Sequence, residues 1–236
     1  MLRSFCLDDL CEKISDGSHN PPKQVEYSKY IMLSSKNILD NKITFDNPRY
    51  LSEQDFFVEN KRTNIEVGDV LLTIVGTVGR CTVVEKLDRK ITFQRSVAVL
   101  TPKKDLILSK YLMFFLQSIS YHLNKKARGV AQKGIYLKSI RNILIDLPPL
   151  SEQQLIVAKI QAAFSEVDKL ITHQKERKYQ HQIVISKMQN NLFEESRSST
   201  KNVPLGEVVI FENGDRGKNY TSKKYQIDAG IAFVNA

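Results

Sequence analysis

Arg80 follows the glycine-bounded run Gly76-Thr77-Val78-Gly79, from which a planar guanidinium can reach a guanine edge through two parallel donors. Gln94 carries the matching amide for adenine, and Arg95 stands beside it, although strand alternation can turn either of the two away from a ligand. Lys125, Lys126 and Arg128 are suited to holding phosphates, which positions a protein on a polyanion without reading its sequence. Gln132 and Lys133, in a polar loop, can reach base edges, and Tyr136 completes the set. The chemistry these residues offer is recognition rather than bond making.

Catalytic constellations are harder to find. Asp55 with Glu59-Asn60-Lys61 has the residue types of a nuclease site but not a convincing pair of strands to carry them. Gly214-Asp215-Arg216-Gly217-Lys218 lacks the length and the Ser or Thr of a phosphate-binding loop. His173 and His181 lie about two helical turns apart, too far to share one metal easily, so no metal site is expected. Asn20-Pro21-Pro22-Lys23 resembles the Asn-Pro-Pro-aromatic motif with which adenine methyltransferases hold a target amino group. Lys23 stands where the stacking aromatic would be, and no glycine-rich strand–turn–helix suited to an adenosylmethionine pocket accompanies it. Cys6, Cys11 and Cys81 are too few for a disulfide framework and read as reduced structural thiols of a cytosolic protein. No catalytic residue is assigned.

The net charge of +9 is unevenly placed. Residues 1–150 hold 23 Lys and Arg against 16 Asp and Glu, and residues 151–236 hold 12 against 10. From Leu106 to Ile145 there is no acidic residue, while Lys110, Lys125, Lys126, Arg128, Lys133, Lys138 and Arg141 fall inside that window. A surface of this sign attracts a polyanion through counterion release. The N-terminus has acidic residues before any long apolar run, so it does not read as a signal peptide, and no later run approaches the length of a membrane span.

The elements that must position these residues are mixed. Val67 to Val75 reads as a β-branched strand, with Arg80 to Val84 as its hairpin partner across the glycine turn. Ile91 to Leu100 reads as a further strand. Ser109 to Leu123 is amphipathic, with Tyr111, Leu112, Phe115 and Ile119 at helical spacing behind a Ser109 cap. Gly129 to Gly134 is a glycine-bounded loop before the last strand, Ile143 to Leu147. The expected fold is an α/β (α+β) domain over residues 1–150.

Pro148-Pro149 ends that domain, because paired prolines continue neither a sheet ladder nor a helix interior. Ser151 then reads as an N-cap with Gln154 three residues on, and Leu150 and Leu155 occupy the positions of a hydrophobic staple. Over residues 151–195, Ile160, Phe164, Val167, Ile171, Gln174, Lys178, His181, Ile185, Met188 and Leu192 recur at alternating four- and three-residue steps. This heptad seam is apolar at both ends and polar in its middle, and predicts one helix of roughly 68 Å that pairs as a coiled coil. Ile160, Phe164, Val167, Ile171, Ile185, Met188 and Leu192 are its candidate dimerisation residues.

Residues 196–202 are a linker by composition. Beyond them, Leu205-Gly206-Glu207-Val208 to Glu212-Asn213-Gly214 echoes Leu7-Asp8-Asp9-Leu10 to Ser15-Asp16-Gly17, and Ile231-Ala232-Phe233 echoes Ile31-Met32-Leu33. Residues 203–236 therefore read as the start of a second copy of the first domain, too short to build its own core.

A globular domain, a long helix and a second globular domain is the plan of the specificity subunit of type I restriction–modification systems. Ser15-Asp16-Gly17-Ser18-His19-Asn20-Pro21-Pro22 resembles that family's early Asp-Gly-Thr-His loop, and Gly68-Asp69-Val70-Leu71 with Gly76 to Arg80 resembles its central hairpin. Gly129 to Ile135 followed by Leu147-Pro148-Pro149-Leu150-Ser151-Glu152-Gln153 resembles the run that closes a target recognition domain and enters the conserved helix. Gly134-Ile135 departs from the family's usual Asn-Ile, and the second recognition domain is nearly absent, as in a half-subunit or a truncated form.

The resemblance implies a non-catalytic, cytoplasmic bacterial or archaeal reader of double-stranded DNA. Its partners would be adenine methyltransferase subunits and, in the restriction form, motor–nuclease subunits. S-adenosylmethionine, ATP and Mg²⁺ would belong to those partners, with no cofactor in this chain and no membrane association. Self-association through the long helix, antiparallel between two copies, would let one recognition domain per chain read an interrupted palindrome. Two other readings stay open. One is the DNA-recognition portion of a single-chain restriction–methylation enzyme. The other is a coiled-coil interaction module whose basic charge serves solubility.

Overall fold

The computed structural model describes residues 3–128 and 134–197, with only the main chain at Lys126, Arg128, Ser196 and Arg197. The elements begin with β1 (Arg3–Cys6), α1 (Leu7–Leu10), β2 (Cys11–Asp16), β3 (Tyr30–Leu33), β4 (Ile38–Leu39), β5 (Lys42–Ile43) and β6 (Arg49–Tyr50). They continue with α2 (Glu53–Thr63), β7 (Val70–Thr73), β8 (Cys81–Val83), β9 (Lys90–Phe93) and β10 (Val97–Pro102). The remainder are α3 (Ser109–Ser118), α4 (Ser120–Arg128), α5 (Leu137–Arg141), β11 (Leu144–Leu147) and α6 (Leu150–Arg197). This is the expected mixed α/β domain followed by a long helix.

A four-stranded sheet, ordered β2-β10-β7-β8, is the centre of the domain. Its neighbours are all antiparallel. Both of its faces are buried, because successive residues of a strand point to opposite sides and each side meets a different core. Val70, Leu72, Ala98 and Leu100 join the cluster formed with α1, α3 and α4. Leu71, Val97 and Val99 join a second cluster with Ile31, Leu33, Ile91 and Phe93. Two-sided burial explains why β7 reads as an unbroken apolar run rather than an alternating one. Each such Val or Leu contributes about 1.5–3 kcal/mol of burial.

The second cluster lies under a three-stranded sheet, β6-β3-β9, in which β3 and β9 run parallel. Tyr30, Met32, Leu51 and Phe56 form a third cluster that fastens α2 to this sheet. The segment expected as one strand, Ile91 to Leu100, is therefore two. β9 pairs with β3 and β10 with β2 and β7, and Gln94-Arg95-Ser96 carries the chain from one sheet to the other. A turn bond from Val97 N to Gln94 O at 3.0 Å closes the crossing.

Three capping expectations are corrected. The helix expected at Ser109–Leu123 breaks after Ser118, whose hydroxyl donates to Phe115 O at 2.7 Å, and resumes as α4. Ser109 is the first helical residue, not the cap, and its hydroxyl donates to Gly68 O at 2.6 Å. At the start of α6, Glu152 N and Gln153 N both donate to Pro149 O, at 2.9 and 3.0 Å, so the helix opens before Ser151 can cap it. Ser151 and Gln154 are exposed, and Leu155 is 54% exposed, so neither the capping box nor the staple forms. Gln153 turns inward instead. It is fully buried, its amide nitrogen donates to Leu106 O and Pro148 O, and its oxygen accepts from Leu108 N, all at 2.9 Å.

The chain divides into two compact units, Met1–Asp168 and Lys169–Ala236. The first unit takes in the recognition-type domain and the opening turns of α6. In it, Val157 is buried and Phe164 stacks on Phe114 of α3, with ring centroids 6.0 Å apart. In the second, the described part is helical. Residues 198–236, which include most of the expected linker and the echoed second domain, lie outside the described residues.

Candidate nucleic-acid interface

The site is built on a backbone crossing that only glycine permits. β2 runs beside β10 until Asp16 stands opposite Ala98. The chain then passes over the turn between β9 and β10, and Gly17 N donates to Val97 O at 3.2 Å while Ser18 N donates to Phe93 O at 2.8 Å. Arg95 N returns a bond to Ser18 O at 2.8 Å. A Cβ on Gly17 would lie 2.0 Å from the Phe93 carbonyl oxygen, so no side chain fits. This crossing fixes Asp16, His19 and Arg95 in one place.

A second crossing supplies the opposite wall. Ile74 N donates to Ser96 O at 2.9 Å, and Ile135 N donates to Ile74 O at 2.8 Å, beside a bridge between Val75 and Gly134. The two crossings enclose a cleft of about 620 Å³. Asp16 and His19 line it on one side, Ile74 to Gly76 and Gly134 to Leu137 on the other, and Arg95 joins them. Its walls are mostly apolar, while Arg95 and Tyr136, the latter 67% exposed, stand open to solvent.

The glycine turn that begins at Gly76 is held from both ends. Gly79 N donates to Thr73 O at 2.9 Å and Arg80 N to Thr73 Oγ1 at 3.0 Å, while Thr73 Oγ1 itself bonds Thr77 O. Asn124 of α4 donates to Val78 O at 2.6 Å. Gly76 and Gly79 take φ of 81° and 97°, and a Cβ on Gly79 would come within 2.9 Å of Ser120 Cβ. Arg80 is half-buried at the end of this turn, and Lys125 is exposed next to the clamping Asn124.

Of the residues singled out in the sequence, Arg95 and Tyr136 share the cleft, and Arg80 and Lys125 belong to the turn and helix that adjoin it. Gln94 is half-buried in the crossing, its N–H bonded to Leu33 O at 2.9 Å, with a bridge to Ser18. The side chains of Lys126 and Arg128, and the whole of Gln132 and Lys133, lie outside the described residues. The sequence reading missed Asp16, His19 and Arg62. Asp16 is 7% exposed, and its carboxylate accepts from Arg62 and His19 together. Asp16 and His19 fall within the quoted Asp-Gly-Ser-His loop; Arg62 carries no local signal, because its partner is 46 residues away.

The titration shifts lie away from the cleft. Burial pushes the Cys11 thiol up to about 12, and burial raises Cys81 further. Burial also raises Asp69, although its hydrogen bonds from Thr101 and the Glu66 N–H oppose this. Among the described residues no His, Cys, Asp and Glu group is placed to hold a metal ion, and no helix is long and apolar enough to cross a membrane.

Along α6 the seam is exposed apart from Ile160, although Phe164 also stacks on Phe114. Phe164, Val167 and Ile171 are 48%, 49% and 44% exposed, and Ile185, Met188 and Leu192 are 55%, 60% and 65% exposed; Ile160 is half-buried.

A mixed domain with glycine-built loops gathered round one cleft, followed by a long helix with an open apolar seam, defines a recognition-domain-and-helix protein. The HsdS subunit from Thermoanaerobacter tengcongensis has this fold, with a TM-score of 0.56 and 25% identity over 71% of this chain and 38% of that one. The model of the type I restriction modification DNA specificity domain matches residues 2–178, and the chain belongs to that family. It is 29% identical over 136 residues to the type I restriction enzyme EcoBI specificity subunit of Escherichia coli, covering 57% of this chain and 28% of that subunit. It is 31% identical over 96 residues to a putative type I restriction enzyme specificity subunit of Haemophilus influenzae, covering 39% of this chain and 23% of that protein. The matched region thus spans less than a third of either curated relative.

Proposed function

We propose that this chain reads one part of a double-stranded DNA site without catalysing a reaction, and directs adenine-N6 methyltransferase subunits to that site. The observation that carries this reading is the cleft, where loops of a DNA-specificity family converge with Arg95 and Tyr136 exposed and Arg80 and Lys125 adjoining. Arg80 and Arg95 supply bidentate donors for base edges and Lys125 a phosphate contact. Motor–nuclease subunits join in the restriction form. S-adenosylmethionine, ATP and Mg²⁺ work in the partner subunits.

The open seam supports pairing of α6 with a second copy. In an antiparallel pair centred near Glu176, Ile160 faces Leu192, Phe164 faces Met188, Val167 faces Ile185, and the polar Gln174 faces Lys178. Apolar ends then meet apolar ends and Gln174 meets Lys178, with Ile171 opposite His181 as a mixed layer between them. Two recognition domains related by a two-fold axis read an interrupted palindrome.

Co-expression of residues 1–236 with its methyltransferase in a methylation-free host tests this, with N6-methyladenine mapped across the genome. Methylation at an interrupted palindrome is expected. Absence of methylation, with the methyltransferase active beside a full-length specificity subunit, would overturn the reading.

A further inference from the structure

One side-chain cluster at the cleft has no role in the reading above. Asp16 is nearly buried, its side chain 10% exposed, yet its carboxylate holds two half-exposed heads, His19 at 49% and Arg62 at 50%. Arg62 Nε and Nη2 donate to Asp16 Oδ1 at 3.1 and 2.5 Å, and Nε also donates to the Asp16 carbonyl at 2.9 Å. His19 Nε2 lies 2.8 Å from Asp16 Oδ2 and 3.2 Å from Arg62 Nη2. A carboxylate oxygen at 2.8 Å requires the proton on Nε2, which turns Nδ1 outward. The bonds to Asp16 use Nε2 of the imidazole and Nε and Nη2 of the guanidinium, so Nδ1 and Nη1 are not engaged by that carboxylate.

An internal ion pair joining α2 to β2 would be enough to explain Asp16 and Arg62 alone. It does not explain a second, titratable head on the same carboxylate at the mouth of the cleft that Arg95 and Tyr136 also line. The guanidinium is fixed along its Nε edge, so its Nη1 edge is presented in one orientation, without the entropy loss of ordering a free side chain. The imidazole beside it can donate outward only when it takes up a second proton.

The geometry points to Arg62 and His19 as a paired contact to a DNA phosphate, with Asp16 as the positioning residue beneath them. This rests on the DNA-reading function proposed above and names two contact residues for it. With Nε2 donating to Asp16, His19 Nδ1 meets a phosphate as a donor only when it carries a proton of its own. The groups that face His19 are Asp16 from β2, Arg62 from α2, Arg95 from the same crossing and Tyr136 across the cleft. Asp16 and the arriving phosphate favour the imidazolium; Arg62 and Arg95 oppose it. The His19 share of the affinity is therefore present only where the imidazole is doubly protonated, at the acid end of the series.

The test is anisotropy with a random-sequence 30-base-pair duplex and residues 1–236, over a salt series at pH 5.5 to 8, for the parent, H19Q, R62Q and D16N. Circular dichroism confirms that each variant is folded. R62Q should reduce the slope of log affinity against log salt by about 1 at every pH. H19Q should do so only at low pH and should flatten the pH profile. D16N adds positive charge to the chain yet should weaken binding and flatten the same profile. A parent that fails to bind DNA at all would defeat the function itself. A parent that binds, with H19Q and R62Q matching it in slope and pH profile, would overturn this inference and leave the function standing. Tighter binding by D16N would remove the positioning role.

Discussion

The amide oxygen of Gln153 accepts the N–H of Leu108 across 45 residues of chain, at 2.9 Å, and so caps α3 from within the first turn of α6. The same side chain donates to Leu106 O and Pro148 O. One buried amide thus satisfies three main-chain groups that would otherwise be orphaned. Gln153→Ala should destabilise the domain by about 3 kcal/mol or more, since each unsatisfied buried group costs about 1–3 kcal/mol. Urea unfolding measures it, and a loss below about 1 kcal/mol would mean that water replaces the amide.

Gly17→Ala should be worse tolerated than any substitution at an exposed cleft residue. The new methyl cannot coexist with the Phe93 carbonyl, and the obstacle is main chain, which cannot rotate away. A loss of about 3 kcal/mol or insoluble expression is the expected outcome. A thermal midpoint within a few degrees of the parent would show that the crossing relaxes.

Much of the scaffold was legible because its signals are local. The β7–β8 hairpin announces itself through a β-branched run and two glycines, and α6 through its seam and the proline pair before it. What escaped was decided at a distance. The change of sheet within Ile91 to Leu100 falls on the polar triplet Gln94-Arg95-Ser96, which is passed over because the apolar runs on either side of it are both buried. Ser151 has better local credentials as a cap than Gln153, but a cap rule knows nothing of Leu106 and Leu108. Arg95 and Tyr136 could be named as candidates from residue type; their sharing of a cleft with His19 could not, since β-crossings join them.

Cysteine reactivity should separate the three thiols. Cys11 and Cys81 are buried and burial raises both thiols, Cys11 from 9.0 to about 12, while half-buried Cys6 bonds Asp9. A folded-state value above the unfolded one means the neutral thiols stabilise the fold fully below about pH 9, and that this is lost as pH climbs toward the folded value. At pH 8 a disulfide reagent should label one thiol per native chain and three after unfolding. Rapid labelling of all three would contradict the burial.

The antiparallel register can be read by crosslinking. In a Cys6→Ser background, chains carrying V167C and chains carrying I185C should oxidise to a mixed dimer when combined. A parallel pair would instead crosslink I185C to itself. A strict monomer by light scattering at micromolar concentration would sink the pairing altogether.

Charge reversal at Lys125 should weaken DNA binding for every sequence alike and lower the salt slope by about 1. Arg80→Ala or Arg95→Ala should cost about 1–3 kcal/mol on the target sequence and little on random DNA. Equal losses on both DNAs would reassign those arginines to phosphates.

The bonds that form the two crossings around the cleft run between main-chain atoms: Gly17 to Val97, Ser18 to Phe93, Arg95 to Ser18, Ile135 to Ile74. The side chains of Arg95 and Tyr136 can be exchanged without touching any of them. The main-chain frame is therefore separable from the side chains displayed on it, so a substitution at exposed Tyr136 changes the display and leaves the mount in place. Exchange of an exposed side chain at the lip leaves these bonds in place, whereas a side chain on Gly17 beneath it does not.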